Sequence, residues 1–260
     1  MTDILQRIYD ADFAMKDSVA DVMEDWDGAR LVADGRAPSL WEWNHAALLR
    51  SDPDNADALI ERIKAFYHKR KRTASVLIDP LAQPPGLYDR LARSGWSRYP
   101  GPTLDTMLWD PASPSIFTKP QVYMTMVTNA TLETWLNIIT SDLTEPARSE
   151  TRAMETVRFR APQTWYWFGL YDGVPSGACS FSLRNGVANV GRISVKPEMQ
   201  GKGIGLALLN FVTRQSRKDG ADITFLYNTA GGPATGIAVR AGYSVIAANS
   251  PDVMTFAPPE

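Results

Sequence analysis

The residues best suited to chemistry lie in one glycine-rich segment, Gln200-Gly201-Lys202-Gly203-Ile204-Gly205. Its three glycines at alternate positions let the backbone approach a ligand closely. A strand-like apolar run, residues 187–195, leads into the segment, and a helix-like run, residues 206–218, leads out of it. The first N–H groups of a helix lack partners within it, and together with the helix dipole they favour an anion. The pattern therefore predicts a phosphate-binding turn.

Two nucleotide-binding motifs compete for the same glycines. A P-loop ends in Gly-Lys-Ser/Thr, whereas Leu206-Ala207 follow here. A dinucleotide fingerprint places its third glycine one residue later and an acidic residue after the next strand, where Tyr227-Asn228 stand. Neither motif fits. A different phosphate ligand and a purely structural turn remain as alternatives.

The segment resembles the acyl-CoA signature of the GCN5-related N-acetyltransferases (GNAT), written Gln/Arg-x-x-Gly-x-Gly/Ala. Gln200, Gly203 and Gly205 fill its three defined positions. The resemblance covers about residues 121–256 and implies an α/β fold (an α+β mixed sheet), the acetyltransferase fold. It also implies transfer of an acetyl group from acetyl-CoA, as acyl donor substrate, to a primary amine of a small molecule or peptide. The amine would attack directly in a ternary complex.

The same resemblance implies where the donor binds. Its pantetheine arm would run along the strand before the loop, and its pyrophosphate would lie on the loop's N–H groups. The backbone N–H of Val195 is the candidate oxyanion donor. Lys202 would either face a phosphate or be a solvated loop lysine. The implied acyl-CoA-binding residues are Ile193, Ser194, Val195, Gln200, Gly201, Lys202, Gly203, Ile204, Gly205 and Asn228.

The catalytic groups are less clearly marked. Relatives often carry a tyrosine, the thiolate's proton donor, where this chain has Ala238, and an asparagine where it has Gly231. Tyr227 and Asn228, at the end of the preceding strand, could substitute, with Tyr227 as the general acid. The alternative is a tyrosine packed in the core.

The general base is similarly open. Some relatives have a carboxylate near the position of Asn189. A water held by Glu150, Glu155 or backbone carbonyls is the candidate base, and solvated helix glutamates are the alternative. Two rival functions also follow: a transferase for a longer acyl-CoA, and a non-catalytic acyl-CoA sensor.

Composition limits the other possibilities. The chain has 260 residues and a net charge of −2, which gives no general attraction to nucleic acid or membrane. It contains no apolar run long enough for a membrane span and no signal-peptide pattern at its N-terminus. The single cysteine, Cys179, fits a reducing cytoplasm, and two histidines make a zinc site unexpected. We expect a cytoplasmic monomer or homodimer.

The chain divides into two halves. Three prolines between residues 111 and 120 predict a linker between a first domain, 1–110, and an acetyltransferase domain, 121–260. In the second, three strands at 165–171, 177–183 and 187–195 should form an antiparallel meander, and the crossover to a strand at 223–227 should be parallel. A last strand is expected near 253–256.

The first half repeats this order in outline. It has an amphipathic run at 59–68, a buried-strand run at 76–78, a short helix at 87–92 and a closing strand near 106–109. Residues 51–55, before the first of these helices, have no glycine and contain Asp52 and Asp54, which would repel phosphate. The half is predicted to be a GNAT-like copy that no longer binds the donor. An unrelated α/β domain is the alternative.

Overall fold

The computed structural model describes residues 1–113 and 122–256. This part of the chain forms two mixed sheets with helices packed against them. The helices are α1 (Thr2–Asp17), α2 (Ala56–Lys69), α3 (Leu87–Arg93), α4 (Leu132–Ile139), α5 (Ala147–Arg158), α6 (Ile204–Lys218) and α7 (Thr235–Arg240). The strands are β1 (Val22–Trp26), β2 (Ala29–Ala33), β3 (His45–Ala47), β4 (Ala74–Ile78), β5 (Ser97–Arg98), β6 (Leu104–Trp109), β7 (Val122–Met126), β8 (Thr164–Tyr171), β9 (Val174–Arg184), β10 (Val187–Val195), β11 (Ile223–Thr229), β12 (Tyr243–Ala247) and β13 (Asp252–Phe256).

The second sheet has the order β12-β6-β11-β10-β9-β8-β7. Strands β8, β9 and β10 pair antiparallel, as predicted, and β10 pairs parallel with β11 across the α6 crossover, also as predicted. Helix α6 packs on one face of this sheet. Helices α1, α4 and α5 pack on the opposite face, where Asn189, Tyr166 and Tyr227 point.

The first sheet has the order β1-β2-β3-β4-β13-β5. Its strands follow the same pattern: an antiparallel series, a parallel pair on either side of a helix (β3 and β4 around α2), then two antiparallel strands. The six strands of this sheet therefore have counterparts in the same order and orientation in the second sheet, where β7 is an additional edge strand, and this supports two tandem halves of the same fold.

One strand of each sheet comes from the other half of the chain. Strand β6 lies between β11 and β12, and β13 lies between β4 and β5. Both strands form where the sequence predicts them, but the expectation that each closes its own half is wrong. Their central residues, Met107 and Met254, are almost fully buried. The apolar pattern of a strand buried on both faces specifies burial and not which sheet provides it. The boundary at 111–120 remains a prediction, and the sheets are not divided at it.

Helix α1 was not expected from the sequence. Its apolar residues Leu5, Ile8 and Phe13 are buried, and the helix packs across β9 and β10 of the second sheet. An N-terminal element of the first half thus covers the second sheet beside the predicted site.

Candidate functional site

A wedge opens between the two parallel strands of the second sheet. In the described ranges, β10 and β11 pair only through residues 187–189 and 223–225. Beyond Asn189 and Phe225 the rest of β11 pairs with β6, and the rest of β10 follows β9 after a one-residue irregularity between Val190 and Ile193. Because the strands separate there, the edge of β10 that faces β11 has free backbone groups.

The ladder with β9 determines which groups of β10 face the wedge. The Lys196 N–H donates to the Ser176 carbonyl at 3.0 Å, so residues 196 and 176 form a hydrogen-bonded pair. Hydrogen-bonded and non-hydrogen-bonded pairs alternate along an antiparallel ladder. The N–H groups of Val195 and Ile193 therefore point away from β9 and toward the wedge. The backbone of Ser194 faces β9 instead, and its hydroxyl donates to the Ile138 carbonyl at 3.2 Å.

The glycine loop lies at the wide end of this wedge. A 3₁₀ turn, Pro197–Met199, takes the chain out of β10, and α6 begins at Ile204. Gly201 and Gly203 have φ of 77° and 81°, values at which a residue with a side chain is strained. A Cβ on either glycine would meet no described atom within 4 Å. Within the described residues no side chain caps α6, and its first turn has no acidic residue. Its first N–H groups are therefore available to an anion.

Close packing of α6 fixes the loop against the sheet. A Cβ on Gly177 of β9 would lie 2.8 Å from Leu208 Cδ1 and 3.0 Å from Ile204 Cγ2. A real Cβ at this position would force these side chains to shift, so glycine allows the close approach. Gly177 is the register partner of Val195, so the start of α6 sits directly beside the end of β10.

Three other predicted binding residues have defined places. Gln200 is exposed and its amide approaches the Val195 carbonyl at 3.5 Å. Lys202 lies over the Tyr171 ring with Nζ 5.1 Å from the centroid, and no described carboxylate forms an ion pair with it. Asn228 donates from Nδ2 to the Thr235 hydroxyl at 2.7 Å, which ties the end of β11 to the start of α7. The structure thus brings Gln200 and Lys202 to the loop and places Asn228 in a structural contact.

Tyr227 points into the face covered by α1. It packs against Phe225 and against the apolar cluster that includes Leu5, Tyr9 and Phe13 of α1. Its hydroxyl is buried with no hydrogen-bond partner among residues 1–113 and 122–256. Burial, and next the charge of Asp12, raise its pKa well above the ordinary value. The phenol therefore stays protonated, as a general acid requires, and its role as that acid stays a prediction. Ala238 lies on α7 and is buried in the core on the α6 face.

The two candidate glutamates form structural contacts. Glu150 Oε2 accepts hydrogen bonds from the Ser39 N–H and hydroxyl, both at 2.9 Å, which links α5 to the first half. Glu155 accepts from Arg158 at 2.6 Å and from the Tyr166 hydroxyl at 2.7 Å. Each carboxylate is buried and occupied by these partners, so neither is solvated as the alternative supposed.

A carboxylate that the sequence analysis missed reaches Asn189. The Asn189 amide donates to Asp12 Oδ1 at 3.1 Å, and Asp12 lies on α1. A sequence signal existed: Asp12 and Lys16 share the helical face of Leu5, Ile8 and Tyr9, so two charged residues occupy an otherwise apolar stripe.

The equivalent position in the first half is closed by the chain itself. Beside the segment that follows β3, the Gln83 N–H donates to the Leu49 carbonyl at 2.9 Å, and the Gln83 carbonyl accepts from the Ser51 N–H at 3.3 Å. The segment between β3 and α2 is therefore joined to the segment after β4 by a parallel bridge between Arg50 and Gln83. Helix α2 also has Asp57 in its first turn. That the first half has no donor site of its own stays a prediction.

An open groove of about 600 Å³ lies between α4 and α5. Its lining is polar and includes Asn137, Glu145, Arg148 and Arg152. Helix α4, which forms one side of the groove, is tied to β10 (the wedge strand) because the Ile138 carbonyl accepts from the Ser194 hydroxyl. In the described part of the chain, no helix is long and apolar enough to cross a membrane, and no cluster of three metal-ligating side chains is found.

Comparison with known proteins identifies the second half. Residues 132–236 match the model of the acetyltransferase (GNAT) family. No curated protein sequence matches the chain. Among solved structures, a GCN5-related N-acetyltransferase from Kribbella flavida has a TM-score of 0.78 at 18% identity, over 98% of this chain and 96% of that one. One from Sphaerobacter thermophilus has a TM-score of 0.66 at 14% identity, over 89% and 78%.

A tandem GNAT protein from the clavulanic acid biosynthesis pathway is also similar, with a TM-score of 0.61 at 18% identity over 96% of this chain and 88% of that one. At these identities the likeness establishes the fold of the described residues and nothing more. The wedge, the glycine loop and the α6 crossover all lie within or beside the matched residues 132–236. The chain therefore carries a domain of the acetyltransferase (GNAT) family, a family that transfers acyl groups from acyl-CoA.

Proposed function

We propose that the protein transfers an acetyl group from acetyl-CoA to a primary amine of a small molecule or peptide, within a ternary complex. The observation that carries this proposal is the continuity of the wedge with the glycine loop. Two N–H groups of β10, those of Ile193 and Val195, point into the wedge beside the start of α6, which has no side-chain cap and no acidic residue in its first turn. A ligand with a phosphate at one end and amide groups along its length matches that arrangement.

The residues present fit acetyl-CoA. Gln200, Gly201, Lys202, Gly203, Ile204 and Gly205 would hold the pyrophosphate, with the charge of Lys202 favouring it. Ile193 and Val195 would pair with the pantetheine amides. Of the predicted strand residues, Ser194 would contribute least through its backbone, because that backbone faces β9. Asn228 would act by placing α7.

The bound thioester supplies an activated acyl carbon. The Val195 N–H, which faces the wedge, can stabilise negative charge on the carbonyl oxygen in the transition state. Holding donor and amine in the wedge together supplies much of the rate acceleration, because it removes the entropic cost of their encounter. Tyr227 is the candidate donor of the proton to the leaving thiolate. The polar groove between α4 and α5 is a route by which an acceptor could reach the wedge strand.

Two alternatives keep the same binding site. A longer acyl-CoA would use the same loop and differ only at the narrow end of the wedge. A non-catalytic sensor is favoured by one observation: Ala238, at the position where relatives often have a tyrosine, is buried in the core and carries no polar group. Either would bind coenzyme A, and the sensor alone would release no thiol.

The test combines binding and turnover on the full chain. Calorimetry should show one acetyl-CoA bound per chain, since we propose that the first half has no donor site; the hydrogen bonds of Gln83 to Leu49 and Ser51 support this. Binding should also raise the melting temperature, because acetyl-CoA at one hundred times its dissociation constant adds about 2.7 kcal/mol to the free energy of unfolding. Thiol release with a panel of primary amines then separates transferase from sensor. No response to millimolar acetyl-CoA would refute the assignment, and two equivalent sites would refute the degenerate first half.

A further inference from the structure

Helix α1, from the first half, places a charged network against the narrow end of the wedge. The Lys16 ammonium donates to Asp12 Oδ2 at 2.6 Å and approaches His45 Nε2 at 3.4 Å. The Asn189 amide donates to the other carboxylate oxygen, Oδ1, at 3.1 Å. Asp12 and Lys16 are each 6% exposed and His45 is fully buried. A hydrogen-bonded network thus crosses from the first half to the wedge strand.

The histidine fixes one end of this network. Its Nδ1 lies 2.9 Å from the Trp41 carbonyl and can only donate to it, which leaves Nε2 as the acceptor for Lys16. Burial, and next the charge of Lys16, lower the pKa of His45 well below its ordinary value, so the ring is neutral. Lys16 is therefore held by two acceptors, and Asp12 is held in turn by Lys16 and Asn189.

The position of Asn189 connects the network to the site. Asn189 is the last residue of β10 that pairs with β11, so it marks the narrow end of the wedge. On the neighbouring strand, Tyr227 has a buried hydroxyl with no partner within the described ranges, and the charge of Asp12 acts on it. A carboxylate, a carboxamide and an unpartnered phenol thus lie around the end of the wedge opposite to the glycine loop.

We propose that Asp12 of the first half is the proton acceptor for the amine that is acetylated in the second half. The proposal rests on the proposed function. Three carboxylates on α1 and α5 are buried near this face of the sheet. Glu150 binds Ser39, and Glu155 binds Arg158 and Tyr166. Asp12 alone of the three accepts a hydrogen bond from β10. Asn189 and Lys16 act as positioning residues for that carboxylate.

The chemical step balances with these groups. The acceptor nitrogen forms a bond to the acyl carbon, and the carbon–sulfur bond breaks with its electron pair leaving on sulfur. Before this attack the acceptor, which arrives as an ammonium ion, gives one proton to the Asp12 carboxylate and so frees its lone pair; hydroxylamine arrives as the free base and needs no such transfer. The second proton, which the nitrogen releases as the new bond forms, goes to solvent. The thiolate takes a proton from solvent, directly or through Tyr227, and Asp12 returns its proton to solvent. The first half then contributes a reacting group to a site that it does not itself contain.

The test uses a variant that removes the charge pair together. Asp12→Asn alone leaves the buried Lys16 ammonium without its anion and is expected to lose stability, so Asp12→Asn/Lys16→Met is the main variant. Asp17→Asn, an exposed aspartate at the end of the same helix, is the control. Thiol release is measured with primary alkylamines, which are protonated at neutral pH, and with hydroxylamine, which is a free base there.

The ratio of alkylamine to hydroxylamine rates is the readout, because it does not depend on the fraction of folded protein. We expect acetyl-CoA affinity within about threefold of the wild type, alkylamine turnover lower by about 100-fold or more, and hydroxylamine turnover largely retained. Alkylamine turnover within threefold of the wild type overturns the proposal, as does an equal loss with hydroxylamine. A wild-type chain that binds acetyl-CoA yet acetylates no amine overturns the transferase function itself. A wild-type chain that does not bind acetyl-CoA overturns the donor site.

Discussion

An aspartate at the N-cap of α6 should abolish most of the acyl-CoA affinity without unfolding the protein. Gly203 has a φ of 81° and stands immediately before the first helical residue, with no described atom within 4 Å of a Cβ placed on it. The Gly203→Asp side chain therefore has room in the free protein. It would occupy the surface on which we place the pyrophosphate.

The expected loss can be worked from two effects. A carboxylate about 6 Å from a phosphate charge costs about 0.7 kcal/mol in water and about 3 kcal/mol at an effective dielectric constant of 20. The side chain also displaces phosphate from N–H groups whose charge-assisted hydrogen bonds contribute about 1.5 kcal/mol or more each. We expect a loss of at least about 2 kcal/mol, which raises the dissociation constant about 30-fold. Backbone strain at positive φ acts on the free and bound protein alike.

Gly220→Asp is the matched control. Gly220 also has a positive φ, 102°, with no described atom within 4 Å of its Cβ position, and it follows the opposite end of the same 15-residue helix. The two sites are separated by about 22 Å, well beyond the Debye length of about 8 Å at physiological salt. Both variants should melt a few degrees lower, for the same reason of backbone strain. Only Gly203→Asp should weaken acetyl-CoA binding in calorimetry.

Either of two results would refute this reasoning. If Gly203→Asp binds acetyl-CoA within threefold of the wild type, the phosphate does not lie on the glycine loop. If Gly220→Asp loses as much affinity, the effect comes from a general change in the helix and not from contact with the ligand.

Three further outcomes are expected. Tyr227→Phe should leave the melting temperature unchanged or slightly higher, because it removes an unpartnered buried hydroxyl, and should lower turnover at least tenfold; unchanged turnover would make Tyr227 a packing residue. The free energy of unfolding should fall as pH drops below about 6.5, by up to about 1.4 kcal/mol per pH unit, because His45 stays neutral when folded and takes up a proton when unfolded. Denaturant titrations at several pH values should show that this free energy changes less with pH in His45→Gln than in the wild type. An equal dependence on pH would contradict this reasoning. Residues 121–260 alone lack β6 and should not unfold cooperatively in circular dichroism; a folded fragment would show that the exchanged strand is dispensable.

The local parts of the second half could be predicted from the sequence because their determinants are local. The meander follows from turn residues such as Asn185-Gly186, which form the hairpin between β9 and β10 with φ of 50° and 77°. The loop follows from its glycines and from the helix pattern after it. Each of these signals lies within a few residues of the structure that it produces.

The strand exchange and the α1 network could not be predicted in this way. Strands β6 and β13 have the apolar pattern of buried strands, and that pattern is satisfied equally by either sheet. The partner of Asp12, Asn189, is 177 residues away along the chain. Charged residues on the buried face of a helix indicate a partner of opposite or polar character, but the sequence does not say which element carries it.

The exchange gives a physical reason for the two halves to act as one unit. Strand β6 lies between β11, the strand bordering the wedge, and β12, so the first half stabilises one wall of the wedge. Helix α1 reaches the other wall, β10, through Asp12 and Asn189. In the first half Gln83 bonds to the segment after β3, and the same half contacts both walls of the wedge in the second half. Under the proposed function, a first half without a donor site of its own is retained because it shapes the site in the second half, and substitutions in α1 should affect turnover more than donor affinity.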